Sequence, residues 1–129
     1  MASLPNPANQ DGYTTVRDLK WSHAEKIVAR KAFNQALERE FEVVISEAKR
    51  MAAKIEQPSD LWELEVYLTH SRKEIDRRYD YRYSMLILVF GNLVRQGRLS
   101  EEELHGLAED KLAHIRSYAT LFSRLDSVA

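Results

Sequence analysis

Apolar residues recur at helical spacing along most of this chain. Phe33, Leu37, Phe41, Val44, Ala48, Met51 and Ile55 follow one another at intervals of 4, 4, 3, 4, 3 and 4, close to a heptad seam. Val43 and Ile45 widen that surface. Upstream, Ser22 with Glu25 three residues on has the form of a capping box, and Trp21 is placed to act as a hydrophobic staple. Nothing breaks the pattern before Pro58. It predicts a first helix from about residue 23 to 56, about 34 residues and about 50 Å long. A helix of that length needs cover along its whole apolar face. A second copy of the chain is the natural cover, with Phe33, Leu37, Phe41, Val44, Ala48 and Met51 at the interface.

Three further helices are expected. Pro58 ends the first, and Ser59 is a candidate N-cap for the second. There Leu61, Leu64, Leu68 and Ile75 form one broad stripe, extended by Trp62, Val66 and Tyr67. A third helix is expected over 80–97. It contains the apolar run Met85 to Phe90, Gly91 as a point of close helix approach, and Gly97 as its stop. A last helix is expected to open at Ser100, with Glu103 completing a second capping box. Its core-facing positions are Leu104, Leu107, Leu112, Ile115, Leu121, Phe122 and Leu125. The fold class is therefore all-α: an elongated helical domain with one long N-terminal helix and a compact helical head, forming a homodimer. Residues 1–20, polar and carrying Pro5, Pro7 and Gly12, are expected to be a flexible arm, and 21–129 a single domain.

Composition removes several function classes. The chain has 129 residues, a formal net charge of -1, four glycines and no cysteine. Thiol chemistry, disulfides and cysteine-held metals are excluded. The charge balance argues against a dedicated nucleic-acid binder. The opening residues have no apolar core of a secretory signal, and no run approaches membrane-spanning length, so a cytoplasmic location is expected. His105 and Glu109 stand four apart, but two ligands do not make a metal site. Asp76 and Asp80 sit among arginines that keep them ionised, which is wrong for a general acid. No phosphate-binding glycine loop or activated serine is present. The chain reads as no enzyme, with no cofactor and no metal.

The densest chemistry is "RKEIDRRYDYRYS", residues 72 to 84. On a continuous helix Arg72–Asp76, Asp76–Asp80 and Arg78–Arg82 are i,i+4, and Glu65 and Arg72 share a face, so an interlocked surface network is expected. Arginine, tyrosine and tryptophan are also the residues that anchor protein interfaces. Trp62, Glu65, Arg72 and Asp76 are the candidate partner-binding residues.

In this order, "DLW", "R-EID", "YDYRYS" and "EDKL" resemble the fluorescence recovery protein family of cyanobacteria and its relatives elsewhere. The similarity runs over roughly 60 to 115, and the preceding helix is similar in character. The resemblance implies an all-helical homodimer that binds the C-terminal domain of the photoactivated orange carotenoid protein. Such proteins speed its return to the resting form and help it leave the phycobilisome antenna. The family's functional tryptophan and arginine match Trp62 and Arg72. Its histidine and aspartate, three and four residues after the tryptophan, are Glu65 and Val66 here. A family phenylalanine becomes Leu88, and a lysine becomes His114. Two other readings compete. One is a stress or signalling dimer with an unrelated protein partner. The other is a small nucleic-acid binder using Arg72, Lys73, Arg77, Arg78 and Arg82.

Overall fold

A computed structural model describes residues 15–128 as four α-helices and two short 3-10 turns. Helix α1 spans His23–Ala53, α2 Pro58–Arg78, α3 Leu86–Arg95 and α4 Glu109–Val128. The 3-10 turns are Val16–Asp18 and Glu101–Leu104. Of the expected arm, residues 1–14 lie outside the described residues. Val16 and Leu19 lie against the core.

Helix α1 starts as its sequence dictates. The Glu25 amide donates to Ser22 Oγ at 3.1 Å, and the Ser22 amide donates to Glu25 Oε1 at 3.0 Å. The same carboxylate accepts from the Ala108 amide at 2.9 Å and pairs with Lys111 Nζ at 3.1 Å. One side chain thus caps α1 and anchors the start of α4, 83 residues away. Burial by itself would raise the Glu25 pKa. The Ser22 and Ala108 amides and the Lys111 ammonium outweigh it and hold the carboxyl at about 2. Trp21 packs on the Tyr83 ring, at 5.7 Å between centroids, and Lys111 Nζ lies 5.2 Å from its own ring centre.

The core sits at one end of the molecule. Ala29, Ala32 and Ala36 make a small-residue stripe on α1, fully buried or nearly so, beneath Leu86, Ile87, Phe90 and Leu93 of α3 and Ile115 of α4. A Cβ on Gly91 would stand 2.7 Å from Tyr118 Cβ, so this position needs glycine for α3 and α4 to meet. Gly91 faces Tyr118 and Arg95 pairs with Asp126, so the two helices run in the same sense. The chain returns through residues 96–108 to allow this.

Four expectations about the elements are corrected. First, α1 ends at Ala53, not 56, and α2 opens with Gln57 at its cap and Pro58 in the first turn, so Ser59 is not the N-cap. The Asp60 carboxylate accepts the Glu56 and Gln57 amides, each at 3.0 Å.

Second, the third helix begins at Leu86 instead of 80. Residues 79–82 are irregular and 83–85 form a turn. Tyr79 and Tyr81 pack edge-on against Phe33, with centroids at 5.5 and 4.9 Å, and Tyr81 meets Tyr83 at 5.6 Å. Seating alternate tyrosines on α1 is incompatible with a helical turn through them.

Third, the Ser100–Glu103 capping box exists, but it caps a four-residue 3-10 turn. Gly106 at φ 110 breaks the chain there, and a Cβ on it would meet Val28 Cγ2 at 2.6 Å. Fourth, Leu121 and Leu125 are exposed rather than core-facing, as are Leu61 and Leu68 of the expected α2 stripe, where only Ile75 is buried.

Candidate partner-binding surface

All the buried residues of α1 lie between Glu25 and Glu40. Beyond that point α1 and α2 form a hairpin whose apolar side chains meet water. Phe41, Val43 and Ile45 on α1, and Leu61, Trp62, Val66 and Leu68 on α2, are all exposed. Uncovered apolar surface on this scale makes the hairpin the candidate interaction surface. The hairpin is held to the head at its base. The Tyr79 hydroxyl bridges Ala36 O at 3.1 Å and Glu40 Oε1 at 3.0 Å, and Arg98 Nε donates to the same Glu40 oxygen at 3.2 Å. Arg39 grips Glu103 with two nitrogens, at 2.8 and 2.7 Å, and donates to Arg98 O at 2.8 Å. The Arg39 guanidinium holds the Glu103 pKa down at about 2.

The four candidate residues Trp62, Glu65, Arg72 and Asp76 all lie on α2 and all are exposed, Trp62 by 62%. Ten residues separate Trp62 from Arg72, which puts them about 15 Å apart along the axis and about 80° apart around it. They bracket a footprint and do not touch each other. The expected ion-pair network is absent. Among the described residues, Glu65, Arg72 and Asp76 join no ion pair. Glu74 instead holds Arg77 and Arg78, the latter at 3.1 Å, and Asp80 holds Arg82. The helix end at Arg78 removes the pairs that would cross Tyr79. Asp80 and Arg82 lie outside α2, so i,i+4 spacing across Tyr79 has no geometric meaning. Arg72 and Asp76 both lie within α2 and still do not pair, so among the described residues Arg72 carries its guanidinium without a carboxylate partner.

Of the six candidate interface residues on α1, Phe33 is spent in the chain's own core. Leu37 and Phe41 line a groove of about 450 Å³ with Asn34, Glu38, Glu42 and Ile45. Val44, Ala48 and Met51 are half-buried. Sequence reasoning understated Leu61 and Leu68, since periodicity marks an apolar face without saying whether the cover belongs to the same chain. Among the described residues no three His, Asp or Glu side chains gather as metal ligands, and no helix is long and apolar enough to cross a membrane. His105 sits in the turn before α4, and Glu109 pairs with Arg116 at 3.1 Å.

Residues 21–119 match the model of the family described as photoprotection regulator fluorescence recovery protein. The chain belongs to that family. It is 40% identical over 101 residues to the fluorescence recovery protein of Synechocystis sp. (strain PCC 6803), covering 78% of this chain and 93% of that one. The solved structure of the Fremyella diplosiphon fluorescence recovery protein is similar at a TM-score of 0.75 and 42% identity. It covers 78% of this chain and 99% of its own. The Synechocystis structure matches at the same TM-score and coverage with 39% identity. The all-helical architecture and the exposed hairpin thus belong to a fluorescence recovery protein fold, and the last turns of α4 extend past the region matched by the family model.

Proposed function

We propose that this chain is a non-enzymatic modulator that binds the photoactivated orange carotenoid protein, accelerates its return to the resting form and promotes its release from phycobilisomes. Its place in the fluorescence recovery protein family carries the reading. The working unit is a homodimer in which Leu37, Phe41, Val44, Ala48 and Met51 of α1 meet a second copy. Phe33 contributes from beneath, by setting the shape of that end of α1. The C-terminal domain of the carotenoid protein docks on α2, at Trp62, Glu65, Arg72 and Asp76.

The chemistry follows from what α2 leaves unpaired. A guanidinium with no internal carboxylate offers a planar fork to a partner carboxylate or backbone oxygen. An exposed indole about 15 Å away along the helix supplies apolar area at the other end of the footprint. Binding alone does not accelerate relaxation. The contacts must favour the transition towards the closed form over the activated one. Val66 stands where the family has aspartate, so α2 lacks a carboxylate that could share a partner group with Arg72, and Glu65 one position earlier approaches from a different angle.

The test is the decay of the photoactivated form in darkness, followed spectroscopically with and without this protein. The expected result is a concentration-dependent acceleration. An unchanged decay rate at saturating protein would leave only the shared fold.

A further inference from the structure

We propose that the groove where α2, α3 and α4 meet is a docking site for an acidic segment of a protein partner, and that Asp126 is its built-in competitor. This site is separate from the α2 footprint described above. The groove encloses about 390 Å³. Arg77 and Arg78 of α2 and Arg95 of α3 line it, and Leu88, Val89 and Phe122 give it an apolar wall. Its lining includes no acidic residue. Two carboxylates reach the arginines from outside that lining. Glu74 is shared by Arg77 and Arg78, and Asp126 pairs with Arg95. Three guanidiniums thus face two carboxylates, and a negative group is wanted.

The chemistry of the walls narrows the occupant. A bare anion would satisfy the arginines and leave the aliphatic wall wet. Leu88 and Val89 of α3 and Phe122 of α4 carry that wall across two helices. An occupant that covers it must bring apolar groups as well as acid. Gln96 also lines the groove, and its side-chain oxygen is buried without a hydrogen-bond partner. A peptide backbone supplies N–H donors beside its acidic side chains; a free carboxylate has none to give. Nucleic acid fits less well. The chain's net charge is -1, and the groove has aliphatic walls with one aromatic ring where base stacking needs several.

Asp126 gives the site its second feature. The family model ends at residue 119, while α4 runs on to Val128. Phe122 and Asp126 both lie in that continuation. It therefore adds one wall to the groove and lays a carboxylate on one of its arginines. The Asp126 side chain is 60% exposed and Arg95 only 22%. An exposed, singly held carboxylate is easily displaced, so Asp126 stands in for the partner's acid and lowers the affinity of the open site.

The probe is a short fluorescein-labelled peptide of leucine and glutamate, read by fluorescence anisotropy against the full chain. Its lysine-for-glutamate counterpart is the control. The parent is expected to bind the acidic peptide alone. Asp126→Ala is expected to tighten binding by about two- to fivefold, the range for an exposed ion pair. Arg95→Gln is expected to weaken it, and adding Asp126→Ala to Arg95→Gln is expected to change nothing further. Arg17→Ala, at an exposed position far from the groove in sequence, is expected to bind as the parent does. Asp126→Ala removes only an exposed side chain, so it reads the proposal even if Arg95→Gln folds poorly. Binding no tighter in Asp126→Ala would overturn the competitor. Displacement of the peptide by equimolar inorganic phosphate, or preference for a single-stranded oligonucleotide, would overturn the acidic protein segment as the occupant.

Discussion

Tyr79 and Glu40 meet at 3.0 Å across the base of the hairpin, and Glu40 is one of the few buried charges in the protein. The phenol's single O–H is shared between Glu40 and Ala36 O, while Arg98 supplies the countercharge. Burial, reinforced by the Glu40 carboxylate, pushes the Tyr79 pKa up, so the hydroxyl stays a donor at any working pH. Tyr79→Phe is expected to lower stability by about 1–2 kcal/mol, because it leaves a buried carboxylate short of one donor. Tyr81→Phe is the internal comparison. The Tyr81 hydroxyl is buried without a hydrogen-bond partner, so its removal is expected to be neutral or stabilising. Urea midpoints of the two variants check this, and equal losses would contradict it.

Gly91→Ala sets two effects against each other. Alanine gains about 1 kcal/mol over glycine in helix propensity. Its Cβ would stand 2.7 Å from Tyr118 Cβ, and that atom is fixed to backbone rather than at the end of a flexible chain. Overpacking of this kind costs about 1–3 kcal/mol. A net loss of stability is expected, with the melting temperature as the readout. A variant more stable than the parent would show that α3 and α4 separate cheaply.

The four-helix count, the α1 cap and the Gly91 contact follow from local signals: spacing, capping chemistry and side-chain size. The failures come from contacts distant in sequence. The tyrosines at 79, 81 and 83 alternate with Asp80 and Arg82, a period of two that was readable as non-helical chain, but their seat on Phe33 was not. Ser100 and Glu103 have the right cap spacing whether a turn or a whole helix follows. Gly106 decides between them, and the need for glycine there arises from Val28, far away in sequence. The ion-pair network expected around Arg72 does not form: the end of α2 at Arg78 accounts for the pairs that cross Tyr79, while Arg72 and Asp76 stay unpaired within the helix, and spacing alone does not select which acid each arginine takes.

Acid is expected to weaken the protein through Glu25 and Glu103. Both have pKa values of about 2 against an ordinary 4.5. A depressed carboxyl stabilises the fold above its unfolded value, and that contribution is lost as pH falls from about 4.5 to about 2. At neutral pH Glu25 is worth on the order of 3 kcal/mol, and Glu103, paired to a more exposed arginine, somewhat less. Denaturant unfolding at a series of pH values reads the slope. Glu25→Gln is expected to be less stable at neutral pH and to lose less on acidification. A variant that keeps the parent's acid slope would exclude Glu25 as a source.

The proposed dimer makes a direct demand on α1. Phe41 is 47% exposed in the single chain and lines the α1 groove with Leu37. Phe41→Glu and Val44→Glu are expected to shift the dimer towards monomer, since a charge in an apolar seam loses its solvation. Circular dichroism should be unchanged, because neither residue lies in the buried core. Equilibrium sedimentation decides it: a parent mass that stays near 15.0 kDa at every concentration defeats the dimer.

The mechanism on α2 rests on Arg72 having no carboxylate of its own. Arg72→Lys keeps the charge and loses the planar fork, so it is expected to slow the acceleration of carotenoid-protein relaxation while leaving dimer mass and stability unchanged. Trp62→Ala removes an exposed apolar anchor. It is expected to weaken acceleration. Val66→Asp tests the departure from the family pattern. An aspartate there places a carboxylate six residues before Arg72, about 9 Å along the axis, too far for a direct pair within the helix. It can act only by sharing a partner group with the arginine in the complex. Val66→Asp is therefore expected to raise the acceleration in the presence of Arg72 and to have little effect in an Arg72→Ala background. Decay rates of the photoactivated form across the four combinations measure that coupling. Equal gains from Val66→Asp in both backgrounds would mean that the two positions act separately, and equal activity of the parent and Arg72→Ala would remove the arginine from the mechanism.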